Sequence, residues 1–116
     1  MGLAKELRDR REIPTRTVLV EAWADKDGKA FEMFCRPITC YDINVLQKKH
    51  PKIMENPTVG SMVDLIILKS EDAAGDKLFK SSEDRIDLMG EETTVISAIA
   101  EQMFSTIDSL ESAEKN

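Results

Sequence analysis

One histidine, His50, stands in 116 residues, within a Lys-Lys-His-Pro run at 48–51. A Ser, Thr or Cys nucleophile needs a base beside it, so this scarcity argues against nucleophilic catalysis. His50 reads as a solvated cation at the negative end of a helix dipole. Cysteine is nearly as scarce: Cys35 and Cys40 have four residues between them. A zinc site would need two more ligands, and a disulfide suits neither the cytosol nor a chain large enough to have a core. Both read as reduced thiols acting as small hydrophobes. Five glycines form no phosphate cradle, and Asp25-Lys26-Asp27-Gly28 has the start of a calcium loop without its closing glutamate. Carboxylate pairs such as Glu71-Asp72 and Glu83-Asp84 are sequence neighbours that point apart on a helix or strand, which makes them poor acid–base partners. These absences predict a protein that is not an enzyme and has no catalytic residues, cofactor or metal.

Long apolar runs are missing too. The longest, Leu65-Ile66-Ile67-Leu68, is far too short to cross a bilayer. Met1–Arg11 is charged and holds no signal-peptide core, and Glu6 stands where a myristoylation motif wants Ser or Thr. The expectation is a cytoplasmic, non-secreted protein. No basic stripe follows a phosphate backbone, so neither nucleic acid nor membrane is expected as a partner.

What is present is aliphatic and acidic. Only six residues are aromatic, so the core must be built from Ile, Leu, Val and adaptable Met. The net charge of −6 is uneven: residues 81–116 hold nine acids against Arg85 and Lys115, a balance of −7, and the first 80 residues sum to +1. The acidic third reads as a solvated helix face.

The length suits one domain over 1–116, opening with a short N-terminal helical segment within 1–14 and closing in a frayed tail at 112–116. Leu3 and Leu7 share one side of the opening helix, which Pro14 ends. Thr15–Ala24 and Ala30–Arg36 read as two strands around the Asp25–Gly28 turn, where Gly28 supplies positive φ. Thr39 and Asp42 form a capping box for a helix carrying Tyr41, Val45 and Leu46, and Pro51 closes it. Asn56-Pro57 reads as N-cap and first residue of a helix to about Ser70, apolar nearly all round and therefore central. After an Ala73–Asp76 loop and an extended Lys77–Phe79 link, Ser81 caps a short helix with Ile86, Leu88 and Met89, stopped by Gly90. A last helix spans about Glu92–Glu111. The predicted fold class is α+β: an N-terminal β-hairpin followed by a small helical bundle of about four helices.

In that last helix Val95, Ile96, Ile99, Ala100, Met103, Phe104, Ile107 and Leu110 fan over roughly half the circumference, at about 100° per residue. One packing contact needs a stripe of only about 100°. Either the helix sits between two elements or part of its face is kept for a partner. Val95, Phe104, Ile107 and Leu110 are the candidate partner-binding residues.

The order of parts carries a resemblance. A Thr-Val-Leu-Val-Glu-Ala-Trp strand at 17–23 is followed by a Gly75-Asp76-Lys77-Leu78-Phe79 link, a Ser82-Glu83-Asp84 helix start, Leu88 before Gly90, and a final amphipathic helix. This resembles the tail assembly chaperones of long-tailed, siphovirus-type bacteriophages. There the link is of the Asp-Gly-x-x-Leu-Phe kind and the strand often reads Pro-Glu-Trp, where this chain has Glu21-Ala22-Trp23. The resemblance implies an α+β protein of the host cytoplasm, absent from the mature virion. It would bind the tape measure protein and keep it soluble until the tail tube polymerises around it. Further implied partners are the tail-tube protein, a frameshift-extended form of the chain and other copies of itself. The alternatives are a structural virion component of tail-terminator or head–tail connector type, or a small acidic regulator or inhibitor.

Overall fold

The computed structural model describes residues 2–10, 15–80 and 82–115, with side chains as far as Phe104. Pro14, Ser81 and Asn116 lie outside the described residues. So do the side chains of Ile107, Leu110 and the 112–116 tail.

Strands β1 (Arg16–Val20) and β2 (Phe31–Cys35) pair antiparallel, with Val18 opposite Met33 and Leu19 opposite Glu32. Strand alternation puts Val18, Val20, Met33 and Cys35 into the core and turns Thr17 and Leu19 outward. The connecting turn is built on Asp25. Its Oδ1 accepts from the backbone N–H of Asp27 and Lys29, and Gly28 takes φ of 81°. The strand expected to reach Ala24 stops at Val20. Glu21–Trp23 coils into one 3₁₀ turn instead, which swings the Trp23 ring back over the sheet end against Phe31, centroids 6.0 Å apart.

Helix α2 (Cys40–Gln47) starts at the expected capping box: Thr39 N–H donates to Asp42 Oδ2, and Asp42 N–H to Thr39 Oγ1. Only Leu46 of its apolar residues is buried; Tyr41 and Val45 face outward. Helix α3 (Val59–Lys69) begins two residues later than Asn56-Pro57 suggests. Thr58 is the true cap. Ser61 answers it three residues on, and the two exchange side chain-to-backbone hydrogen bonds at 2.8 and 3.2 Å. An Asn56 cap would have Val59 at the third position, with no side-chain acceptor to return, and Asn56 N–H is already spent on Lys52 O.

After α3 the chain does not pass straight into a loop. Ser70–Glu71 forms a third strand, β3, against Phe34 and Cys35, so the sheet has three antiparallel strands in the order β1-β2-β3. A second aspartate turn follows, with the design of the first. Asp72 Oδ1 accepts from Ala74 and Asp76, and Gly75 has φ of 90°. Helix α4 (Glu83–Met89) buries only Leu88, and Gly90 caps it at an ordinary negative φ rather than in the left-handed region. Helix α5 (Thr93–Lys115) completes the chain, and α1 (Leu3–Asp9) precedes β1 without burying a residue.

The protein is thus mixed α+β. One core cluster joins Val18, Met33, Val63, Leu65, Ile66, Ile96, Ile99 and Met103 from β1, β2, α3 and α5. Among the described residues no helix is long and apolar enough to cross a membrane.

Candidate interaction surface

Helix α5 lies between two neighbours, α3 on one side and β1 on the other. That placement explains the width of its apolar face as far as Phe104. Ile96, Ile99, Ala100 and Met103 are buried, while Val95 and Phe104 are half-buried and pack at the margins of the core. The sequence candidates therefore separate. Val95 borders an open groove, and Phe104 leans on the core from another side; Ile107 and Leu110 fall where no side chains are described.

The groove, of about 440 Å³, runs between α5 and the outer side of β1 with its 3₁₀ turn. Leu19, Val20, Ala22, Val95, Ala98 and Ile99 give it an apolar lining. Leu19 is 50% exposed there, and Ala98 is exposed. Glu21 is its one charged lining residue. Across one end reaches Gln102, whose Oε1 accepts from Leu19 N–H at 3.0 Å and whose Nε2 donates to Leu19 O at 2.9 Å. A single carboxamide thus takes both outward backbone groups of an edge-strand residue, much as a neighbouring strand would. Edge strands invite pairing with other chains, and this contact blocks it locally. Sequence periodicity had no means of finding Gln102, which looks like any polar position beside an apolar stripe.

The N-terminal end of α5 is tied to the sheet by Glu91, whose Oε2 accepts from the Trp23 indole N–H at 2.8 Å. That bond, with one from the Glu92 backbone N–H, lowers the Glu91 pKa. Trp23 also meets Phe79 edge-on, at 6.3 Å between centroids.

A second polar centre gathers around Asp64 on α3. Its Oδ2 meets His50 Nε2 at 2.6 Å and Lys49 Nζ at 3.5 Å, and its Oδ1 accepts from Arg85 Nε at 2.8 Å. His50 is therefore not the solvated helix-end cation that its Lys-Lys-His-Pro setting suggests; its side chain is 17% exposed and is held by Asp64. Burial alone would raise the Asp64 pKa, but hydrogen bonds from Arg85 and His50 and the charges of Arg85 and Lys49 outweigh it and lower the value. Asp42 behaves likewise: hydrogen bonds from Lys69 and Thr39 overcome desolvation. The Asp64 cluster joins the end of α2, α3 and α4, so its geometry is that of a structural tie. Of the two thiols, Cys40 is exposed, while Cys35 is buried, which pushes its pKa to about 11 and keeps it a protonated, unreactive core residue.

A wider groove, about 600 Å³, lies beside α2 among Ile38, Tyr41, Ile43 and Met54, with no charged residue in its lining.

No family model matches the chain. Neither a curated protein nor a solved structure is significantly similar to it. The functional reading therefore rests on the residues themselves.

Proposed function

We propose that this protein is a phage tail assembly chaperone, which binds the tape measure protein in the host cytoplasm and keeps it soluble until the tail tube polymerises around it. The single observation that carries the reading is spatial. Two of the sequence features that suggest the family are the Thr17–Trp23 stretch and the link ending in Leu78-Phe79, and their aromatic rings touch although the chain between them is long. The Glu91 bond to Trp23 then connects that corner to the start of α5. An aromatic joint of sheet, link and last helix is a reason for such residues to occur together in one sequence pattern. In this reading the hairpin and the four helices after it work as one small domain.

An open apolar groove and an acidic C-terminal third also suit a protein that holds an apolar helical rod in solution, because exposed aliphatic surface can meet such a client while the surrounding acids keep it soluble. Coexpression tests the reading directly. The tape measure protein should be insoluble alone and soluble, in a stable complex, when made with this chain. Mass spectrometry of purified particles should find no copies of it. Stoichiometric copies in the particle would make it a virion component, and a tape measure protein equally insoluble with and without it would remove the chaperone role.

A further inference from the structure

The geometry points to one client chemistry for the groove between β1 and α5: we infer that it receives an amphipathic α-helix with an apolar stripe and basic flanks, presented by a partner protein. The inference rests on the chaperone reading above and narrows it to one surface.

Three observations select that occupant. The groove is apolar where Leu19, Ala22, Val95 and Ala98 line it, and Ala98 is exposed and small enough to leave room for a larger side chain. Its only charged lining residue is Glu21, with no cation in the lining. Exposed Glu101 lies three residues after the lining Ala98, where helix neighbours share a surface. Complementary charge steers encounter and rejects like-charged partners, so the flanks of the occupant are basic. The third observation decides helix over strand. An added strand would need the outward N–H and C=O of Leu19, and Gln102 holds both. A helix satisfies its own backbone and docks by side chains alone.

The probe is a synthetic peptide of about 20 residues, long enough to be helical by itself, with Leu at helical spacing and Lys and Arg elsewhere. Its controls are the same Leu pattern with Glu in place of the cations, and an extended Val/Lys alternating peptide. By fluorescence anisotropy the basic helix should bind, and the Glu version should bind at least about tenfold more weakly, the gap closing as salt screens the charges. Ala98→Arg fills the groove with a good helix former at an exposed position and should weaken the basic helix by about tenfold or more, with unchanged circular dichroism. Glu101→Lys, also exposed, should weaken it by charge alone.

Equal binding of the Glu peptide, full-strength binding to both Ala98→Arg and Glu101→Lys, or preferential capture of the extended peptide would overturn the inference. The two readings fail separately. A tape measure protein held soluble equally well by the Ala98→Arg chain removes the groove and leaves the chaperone standing. Specific binding of the basic helix, without any effect on the tape measure protein, does the reverse.

Discussion

Helices α3 and α5 lie side by side, and they meet the rest of the molecule differently. Helix α3 touches α2, α4 and α5, and Val63, Leu65 and Ile66 on three of its sides are wholly inaccessible. Its one acidic residue, Asp64, is held by His50, Lys49 and Arg85. Among the described residues helix α5 packs mainly on α3 and β1, and beside β1 it leaves the groove of Leu19, Val95 and Ala98 open, crossed by Gln102. The difference teaches that apolar width alone does not tell a core helix from a docking helix. What separates them is whether the polar positions between the apolar ones are tied to neighbouring helices, as at Asp64, or reach across an open groove to cover a strand edge, as at Gln102.

The comparison breaks most readily at α3. Ile66→Ala should destabilise the protein by about 2–5 kcal/mol, read as a shift in urea midpoint, because a fully buried branched side chain leaves a cavity with neighbours on every side. A shift worth less than about half a kcal/mol would show that α3 is not the central helix.

Asp64→Asn should cost less, about 1–3 kcal/mol, since Arg85 and His50 lose a charged acceptor in a half-buried setting. Its pH signature is more specific. The folded-state pKa of Asp64 lies below the ordinary 3.8, so its contribution is present above that value and is lost as the pH falls through the folded-state value. The wild type should therefore lose stability below about pH 4 more steeply than Asp64→Asn, by urea denaturation across that range. Parallel acid limbs would mean that Asp42, depressed in the same direction, carries the acid sensitivity instead.

On α5 the effects should shrink. Gln102→Ala removes the carboxamide that bonds both backbone groups of Leu19, exposed bonds that water can replace, at a cost of about 0.5–1.5 kcal/mol. It should also leave Leu19 as an open edge, so light scattering at high concentration should detect more self-association than in the wild type. Ala98→Arg sits at the other end of the scale: within about 0.5 kcal/mol of wild-type stability, by the same urea midpoint, because the position is exposed and helical. A large loss there would mean that the groove is packed, and the contrast between the two helices would disappear.

Much of the backbone was legible because its signals are local. The Thr39–Asp42 box, the Asp25–Gly28 turn, the alternation along Val18–Val20 and Met33–Cys35, and the near-complete apolar ring of α3 each depend on residues within one or two turns of chain. The misplaced start of α3 was a near miss of the same kind. Two cap signals compete within three residues, and Thr58 prevails because Ser61 can reciprocate.

The sequence by itself determined the two hairpin strands and the helices after them, though neither β3 nor the 3₁₀ turn at Glu21–Trp23, and also that the acidic charge gathers in the last third. It also determined the scarcity of histidine, cysteine and aromatic residues. Tertiary structure alone decided the pairings between distant segments: Ser70–Glu71 against Phe34–Cys35, Trp23 against Phe79 and Glu91, His50 and Arg85 on Asp64, and Gln102 on Leu19. The physical reason is that each such contact satisfies a polar group or ring with a partner made available only when the chain packs. Periodicity records which side of an element is buried, and it carries no information on what stands opposite.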